Sequence, residues 1–233
     1  MFLATIDSFL YLLPAMLLTM WAQGRIMRAY AAGARVPSAA GVTGAQAAVL
    51  VMREAGLTGV AVEPAAGDLS DHYDPQGKVL RLSRAVYSGR SLSALGVAAH
   101  EAGHAVQDAS GYPALVVRNL IVPLAGLGSR VFWLLITAGL LLGMARLILW
   151  GVILFSVVVA FQLVNLPVEF DASRRGRRLL ESAGLMGPEE DQVVARVLDA
   201  AAWTYVAAAL TGVLTLIDDL VQLGVLGGRR DHE

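Results

Sequence analysis

The chain has 233 residues, of which 56% are hydrophobic and only 16% charged, against about 25% charged in ordinary soluble domains. With a positive mean hydropathy, this composition excludes a simple soluble globule and specifies a membrane protein. A formal net charge of −1 gives no electrostatic case for nucleic acid, and the absence of cysteine excludes disulfides and thiolate ligands, so any metal must be held by histidine and carboxylate.

Residues 1–23 form the first expected span, in which residues 2–21 supply about the twenty residues needed to cross a bilayer, with Asp7 and Pro14 as the only charged or helix-disturbing interruptions. A cleaved signal peptide would carry its positive charge first. Here Arg25 and Arg28 follow the apolar run, which predicts a transmembrane helix with the next segment in the cytoplasm. Residues 24–41 read as a basic linker. Thr43-Gly44-Ala45-Gln46 is a capping-box pattern that opens a short amphipathic helix, closed by Gly56.

Residues 59–63 and 78–83 mix apolar and polar side chains in short β-prone runs, predicting two strands and the only sheet. The stretch between them, Ser70-Asp71-His72-Tyr73-Asp74-Pro75, reads as a loop. Its histidine and two aspartates form a conceivable second metal site, but Asp and Pro are ordinary turn residues and His72 is better used within the loop.

Ser91 is a plausible N-cap for a helix over residues 92–108, which carries Ala98-Ala99-His100-Glu101-Ala102-Gly103-His104. With 3.6 residues per turn, His100 and His104 project from one face a single turn apart and can converge on one cation. Zinc held by two imidazoles with an open position lowers the pKa of bound water toward about 7. Glu101, about 100° round the helix, can take that water's proton without being a ligand, which makes it the candidate general base. The alternative is a chance motif on an amphipathic helix. In metallopeptidases of this motif class a strand beside the metal helix pairs with extended substrate. Residues 78–83 stand in the right order for that job, or form part of a structural hairpin covering the helix.

Residues 117–166 are almost continuously apolar, too long for one span and enough for two. A tight transmembrane hairpin is expected, with spans near 130–145 and 147–166, Arg146 in the turn and residues 120–129 at the interface. Two crossings return the chain to the side of His100 and His104. Just there, after Pro167, stands Glu169, the expected third ligand on a helix within 167–200. The competing reading is an interfacial salt-bridge patch with Arg174, Arg175, Arg177 and Arg178. Asp171 is a candidate to hold a histidine N–H. Residues 201–228 form a C-terminal apolar helix, either membrane-spanning or interfacial; Tyr205 in it is a candidate oxyanion donor or an aromatic-belt residue.

Taken together, the 70–75 stretch, Ala99-His100-Glu101-Ala102-Gly103-His104-Ala105-Val106-Gln107 and Leu166-Pro167-Val168-Glu169-Phe170-Asp171-Ala172-Ser173 resemble the neutral zinc membrane metallopeptidases, or YugP-like family. The resemblance implies a multi-pass peptidase of the bacterial inner membrane, with His100 and His104 as zinc ligands and Glu101 as catalytic acid/base. A related group with a Glu-x-x-x-Asp motif supports Glu169 by analogy; here the fourth residue after Glu169 is Ser173. The expectation is therefore a mainly α membrane protein. Three to four transmembrane helices would accompany a small α+β zincin-like catalytic unit over residues 24–116, facing the cytoplasm. It would bind Zn²⁺ and hydrolyse peptides or proteins, membrane proteins included. The alternative is a metal-binding interaction or chaperone-like membrane protein without peptidase activity, against which an intact Glu101 speaks. Oligomeric state and physiological substrate are not specified by the sequence.

Overall fold

A computed structural model describes residues 6–224. It contains seven helices and three strands: α1 (Ile6–Ala34), α2 (Gly44–Glu54), β1 (Ala61–Ala65), β2 (His72–Asp74), β3 (Val79–Ser83), α3 (Arg84–Tyr87), α4 (Leu92–Ala109), α5 (Pro113–Leu142), α6 (Ala145–Ser182) and α7 (Pro188–Gln222). The protein is mainly α-helical with a small sheet, as a membrane protein carrying a small α+β unit. The helices α5, α6 and α7 are each long and apolar enough to cross a membrane. The first expected span, residues 1–23, lies partly outside the described residues.

Several boundaries differ from expectation for identifiable reasons. The supposed linker at 24–34 continues α1, because Arg, Met and Ala are good helix formers and outweigh two glycines. The hairpin turn falls at Gly143 and Met144, where Gly143 takes φ 64°, and Arg146 is already inside α6. Residues 120–129 belong to α5 without a separate interfacial piece. Pro167 starts no new helix: α6 runs through it.

The chain divides into two compact units, residues 1–21, 117–165 and 205–233, and residues 22–116 and 166–204. The first has a small core of Phe132, Ile136, Val152, Phe155 and Val159, with Phe132 and Phe155 stacked at 4.9 Å. The second has a larger core in which α2, β3, α4, the end of α6 and the start of α7 contribute Val51, Leu80, Leu82, Leu95, Leu180 and Val194.

Within the second unit, Thr43 and Gln46 complete the capping box of α2, and Ser91 accepts from the Ala94 N–H to cap α4. The sheet order is β1-β3-β2, with β1 parallel and β2 antiparallel to β3. The stretch expected to be a loop thus supplies β2. It is held by His72 Nδ1 against the Ser70 carbonyl at 2.7 Å and by Asp71, which accepts from the Ser83 N–H and hydroxyl. Asp74 accepts from the Gln76 and Gly77 N–H groups and pairs with Arg81 at 3.0 Å. β3 is buried at four of its five positions, as a strand covered on both faces must be. Being central, it has no free edge, so the expected pairing of residues 78–83 with substrate is overturned.

Candidate metal centre

The centre is built where α4 crosses α6. A Cβ on Gly103 would collide with the Ala172 carbonyl, and one on Gly176 with the Ala99 carbonyl. Two glycines, one from each helix, therefore let the backbones approach more closely than any side chain permits. This approach brings Glu169, one turn before Ser173, over the paired histidines of α4.

His100 Nε2 lies 3.1 Å and His104 Nε2 3.6 Å from Glu169 Oε2. One ligand atom from each of the three residues lies within 4.8 Å of the others, and among the described residues they form the one such group. Four donors placed tetrahedrally at about 2.0–2.1 Å from zinc stand roughly 3.3 Å apart. The two histidine–carboxylate separations bracket that spacing, and all three ligand atoms lie close enough to close on one such ion. The rings of His100 and His104 meet edge to face, with centroids 4.8 Å apart.

Electrostatics point the same way. Glu169 is only 4% exposed, and a buried carboxylate is costly without a positive partner. Burial works against a charged His104, yet hydrogen bonding to Glu169 and the charges of Glu101 and Glu169 outweigh it and raise its pKa. The negative potential that favours a proton on that ring equally favours a metal cation in its place. Glu101 is half-buried next to this group and near enough to act on His104 electrostatically.

Behind the rings, the partners differ from expectation. Asp171 reaches neither histidine; its Oδ2 accepts from Gln107 Nε2 at 3.0 Å and from Arg175 at 2.5 Å. The histidine Nδ1 atoms instead meet Ser173 Oγ at 2.9 Å for His100 and Gln107 Oε1 at 3.0 Å for His104. Sequence reasoning missed both. The signal for Ser173 was its place four residues after Glu169, on the same helix face; for Gln107 it was its place three residues after His104, again on one face. His72, with Asp71 and Asp74, forms no metal group in the structure, and Tyr205 belongs to the other compact unit.

With this geometry described, comparison with known proteins is informative. The family model for "Putative neutral zinc metallopeptidase" matches residues 8–223. The chain is also 46% identical over 210 residues to the "Putative membrane protease YugP" of Bacillus subtilis (strain 168), covering 90% of this chain and 93% of that protein. No solved structure gives a significant match.

Proposed function

Since the chain belongs to the neutral zinc metallopeptidase family, we propose that it is a multi-pass membrane peptidase holding zinc through His100, His104 and Glu169, with Glu101 as general base. The observation that carries this reading is the convergence of two Nε2 atoms and one buried carboxylate oxygen beside a half-buried glutamate that is not among the three. When bound, zinc supplies Lewis acidity toward water and toward a peptide carbonyl. Glu101 then has the proton work: it takes the proton of the attacking water and delivers it to the leaving amine. Ser173 and Gln107 hold the two rings from behind, and Glu169 neutralises charge in the site.

Substrate docking follows from the sheet. β3 is enclosed, whereas β2 keeps an open edge and is tied to the metal helix by the Tyr73 hydroxyl, which donates to Asp108 at 2.7 Å. An extended peptide segment adds to β2 by main-chain hydrogen bonding. Sidedness follows from the chain order. Two crossings by α5 and α6 would return residues 166–204 to the side of residues 22–116, and the cluster Arg174, Arg175, Arg177 and Arg178 supports a cytoplasmic side in a bacterial inner membrane.

The test is cleavage of casein by purified protein in detergent, with zinc content measured in parallel. Glu101→Gln keeps its zinc and loses about a hundred-fold or more of the rate, the scale of general-base catalysis. Cleavage at the wild-type rate by Glu101→Gln contradicts the mechanism, and zinc-loaded wild type that cleaves nothing favours a non-catalytic metal protein.

A further inference from the structure

We infer that Gln107 is a positioning residue for the metal centre: its amide, locked in one orientation by α6, makes His104 carry its proton on Nδ1 and present the Nε2 lone pair to the metal. The inference rests on the zinc reading above and assigns a role to a residue that reading does not require.

Gln107 has no exposed surface, so its donors and acceptor must be satisfied inside the protein. One end of the amide meets the Val168 carbonyl at 2.8 Å and Asp171 Oδ2 at 3.0 Å. A carbonyl accepts only, and a carboxylate paired with Arg175 at 2.5 Å is ionised and also accepts only. The amide end facing them must therefore be the NH₂ group, which has two hydrogens for the two acceptors. The reversed orientation would set three oxygens against one another in a buried space. Oε1 is then obliged to face His104 Nδ1, 3.0 Å away, and an acceptor there demands an Nδ1–H. A neutral imidazole with its proton on Nδ1 has its lone pair on Nε2, the atom turned toward Glu169.

His100 lacks such a device. Its Nδ1 meets the Ser173 hydroxyl, which donates or accepts equally well and selects no tautomer. The two histidines of one motif are thus held differently, one by a committed acceptor and the other by an adaptable hydroxyl. Asp171 acts one step further out. Arg175 grips it, and the Arg175 guanidinium lies 5.5 Å from the Tyr112 ring centroid, so the orientation of the amide is anchored to the segment after α4 as well as to α6.

The experiment uses full-length protein in detergent with zinc, and separately cobalt(II), as the probe. Zinc affinity is read by competition with a chromophoric chelator, and coordination geometry by the visible cobalt spectrum. Gln107→Met keeps the volume and removes the hydrogen bonds. It is expected to weaken zinc binding about 10- to 100-fold, the range for loss of a partner behind a ligand, and to shift the cobalt bands. Val51→Ala, a core truncation on α2 that removes no hydrogen bond of the metal group, is expected to lower the melting temperature and move neither readout. Gln107→Met with wild-type affinity and an unchanged cobalt spectrum overturns the assignment. Should that variant fail to fold, ring ¹⁵N NMR of the zinc-loaded wild type decides: His104 metallated through Nε2 with hydrogen on Nδ1 supports the assignment, and metallation through Nδ1 overturns it. Retention of zinc by His104→Ala would instead remove the underlying zinc reading, so the two failures are distinct.

Discussion

In the unit formed by residues 22–116 and 166–204, polar side chains enter the core and find partners there. Ser93 donates to the Tyr30 carbonyl, Ser83 to Asp71 and Gln107 to the Val168 carbonyl, while His104 meets Gln107 through Nδ1 and Glu169 through Nε2. In the unit of the spanning helices a small cluster of Phe132, Ile136, Val152, Phe155 and Val159 is buried, and large side chains face outward, with Leu134 68% and Leu141 81% exposed. In the same unit the amide oxygens Gln162 Oε1 and Asn165 Oδ1 are buried without a partner among the described residues. A metal site needs polar atoms fixed to within fractions of an ångström, which requires enclosure by other protein groups that complete their hydrogen bonds. A lipid-facing helix obtains its environment from the bilayer and needs only apolar surface and satisfied backbone.

Glycine substitutions break this comparison most sharply. Gly103→Ala or Gly176→Ala forces a methyl group against backbone carbonyls at the α4–α6 crossing. Overpacking of this kind costs about 1–3 kcal/mol, more than the roughly 1 kcal/mol that alanine gains over glycine in a helix. Thermal unfolding should show a lower melting temperature, and chelator competition a weaker zinc affinity. Gly126→Ala in α5, where a Cβ meets nothing within 4 Å, should be neutral or raise stability by about 0.5–1 kcal/mol. Equal destabilisation by all three would remove the special closeness of the α4–α6 crossing.

A smaller effect lies in the sheet. The Gly77 N–H, Arg81 and the Gln76 N–H hold the Asp74 pKa below the ordinary carboxylate range. A depressed folded pKa contributes stability that is present above the unfolded value, near 3.9, and is lost as pH falls through the folded value. Asp74→Asn should therefore lower stability modestly at neutral pH and converge with wild type as pH falls below about 4, flattening the acid limb of a profile followed by denaturant titration. A pH profile identical to wild type would remove Asp74 from the turn's energetics.

How far the sequence carried this description depends on the range of the interactions involved. The His100–Glu101–His104 spacing, the Thr43 box and the Ser91 cap are local and were legible as written, because helical geometry alone fixes them. Glu169 could be nominated from the order of the apolar segments. β2 was hidden because His72-Tyr73-Asp74, with Asp71 before it, looks like turn chemistry until β3 supplies the ladder. The α4–α6 crossing was hidden too: Gly103 reads as a motif filler until Ala172 stands against it. The partners of the histidines, Gln107 and Ser173, become visible only once that crossing is known.

The central claim is that Glu169 joins the two histidines around zinc, and zinc affinity of Glu169→Gln in the full-length protein tests it most directly. The comparison variants are Glu101→Gln, a non-ligand beside the site, and Glu181→Gln, an exposed acid on the same helix. If zinc is held by all three residues, its binding is part of the unit's stability. Glu169→Gln should then lose about ten-fold or more in affinity and shrink the fall in melting temperature that chelation causes in wild type. Both comparison variants should keep affinity and chelator response. Wild-type zinc affinity in Glu169→Gln, with an undiminished response to chelator, would contradict the account and require a different third ligand.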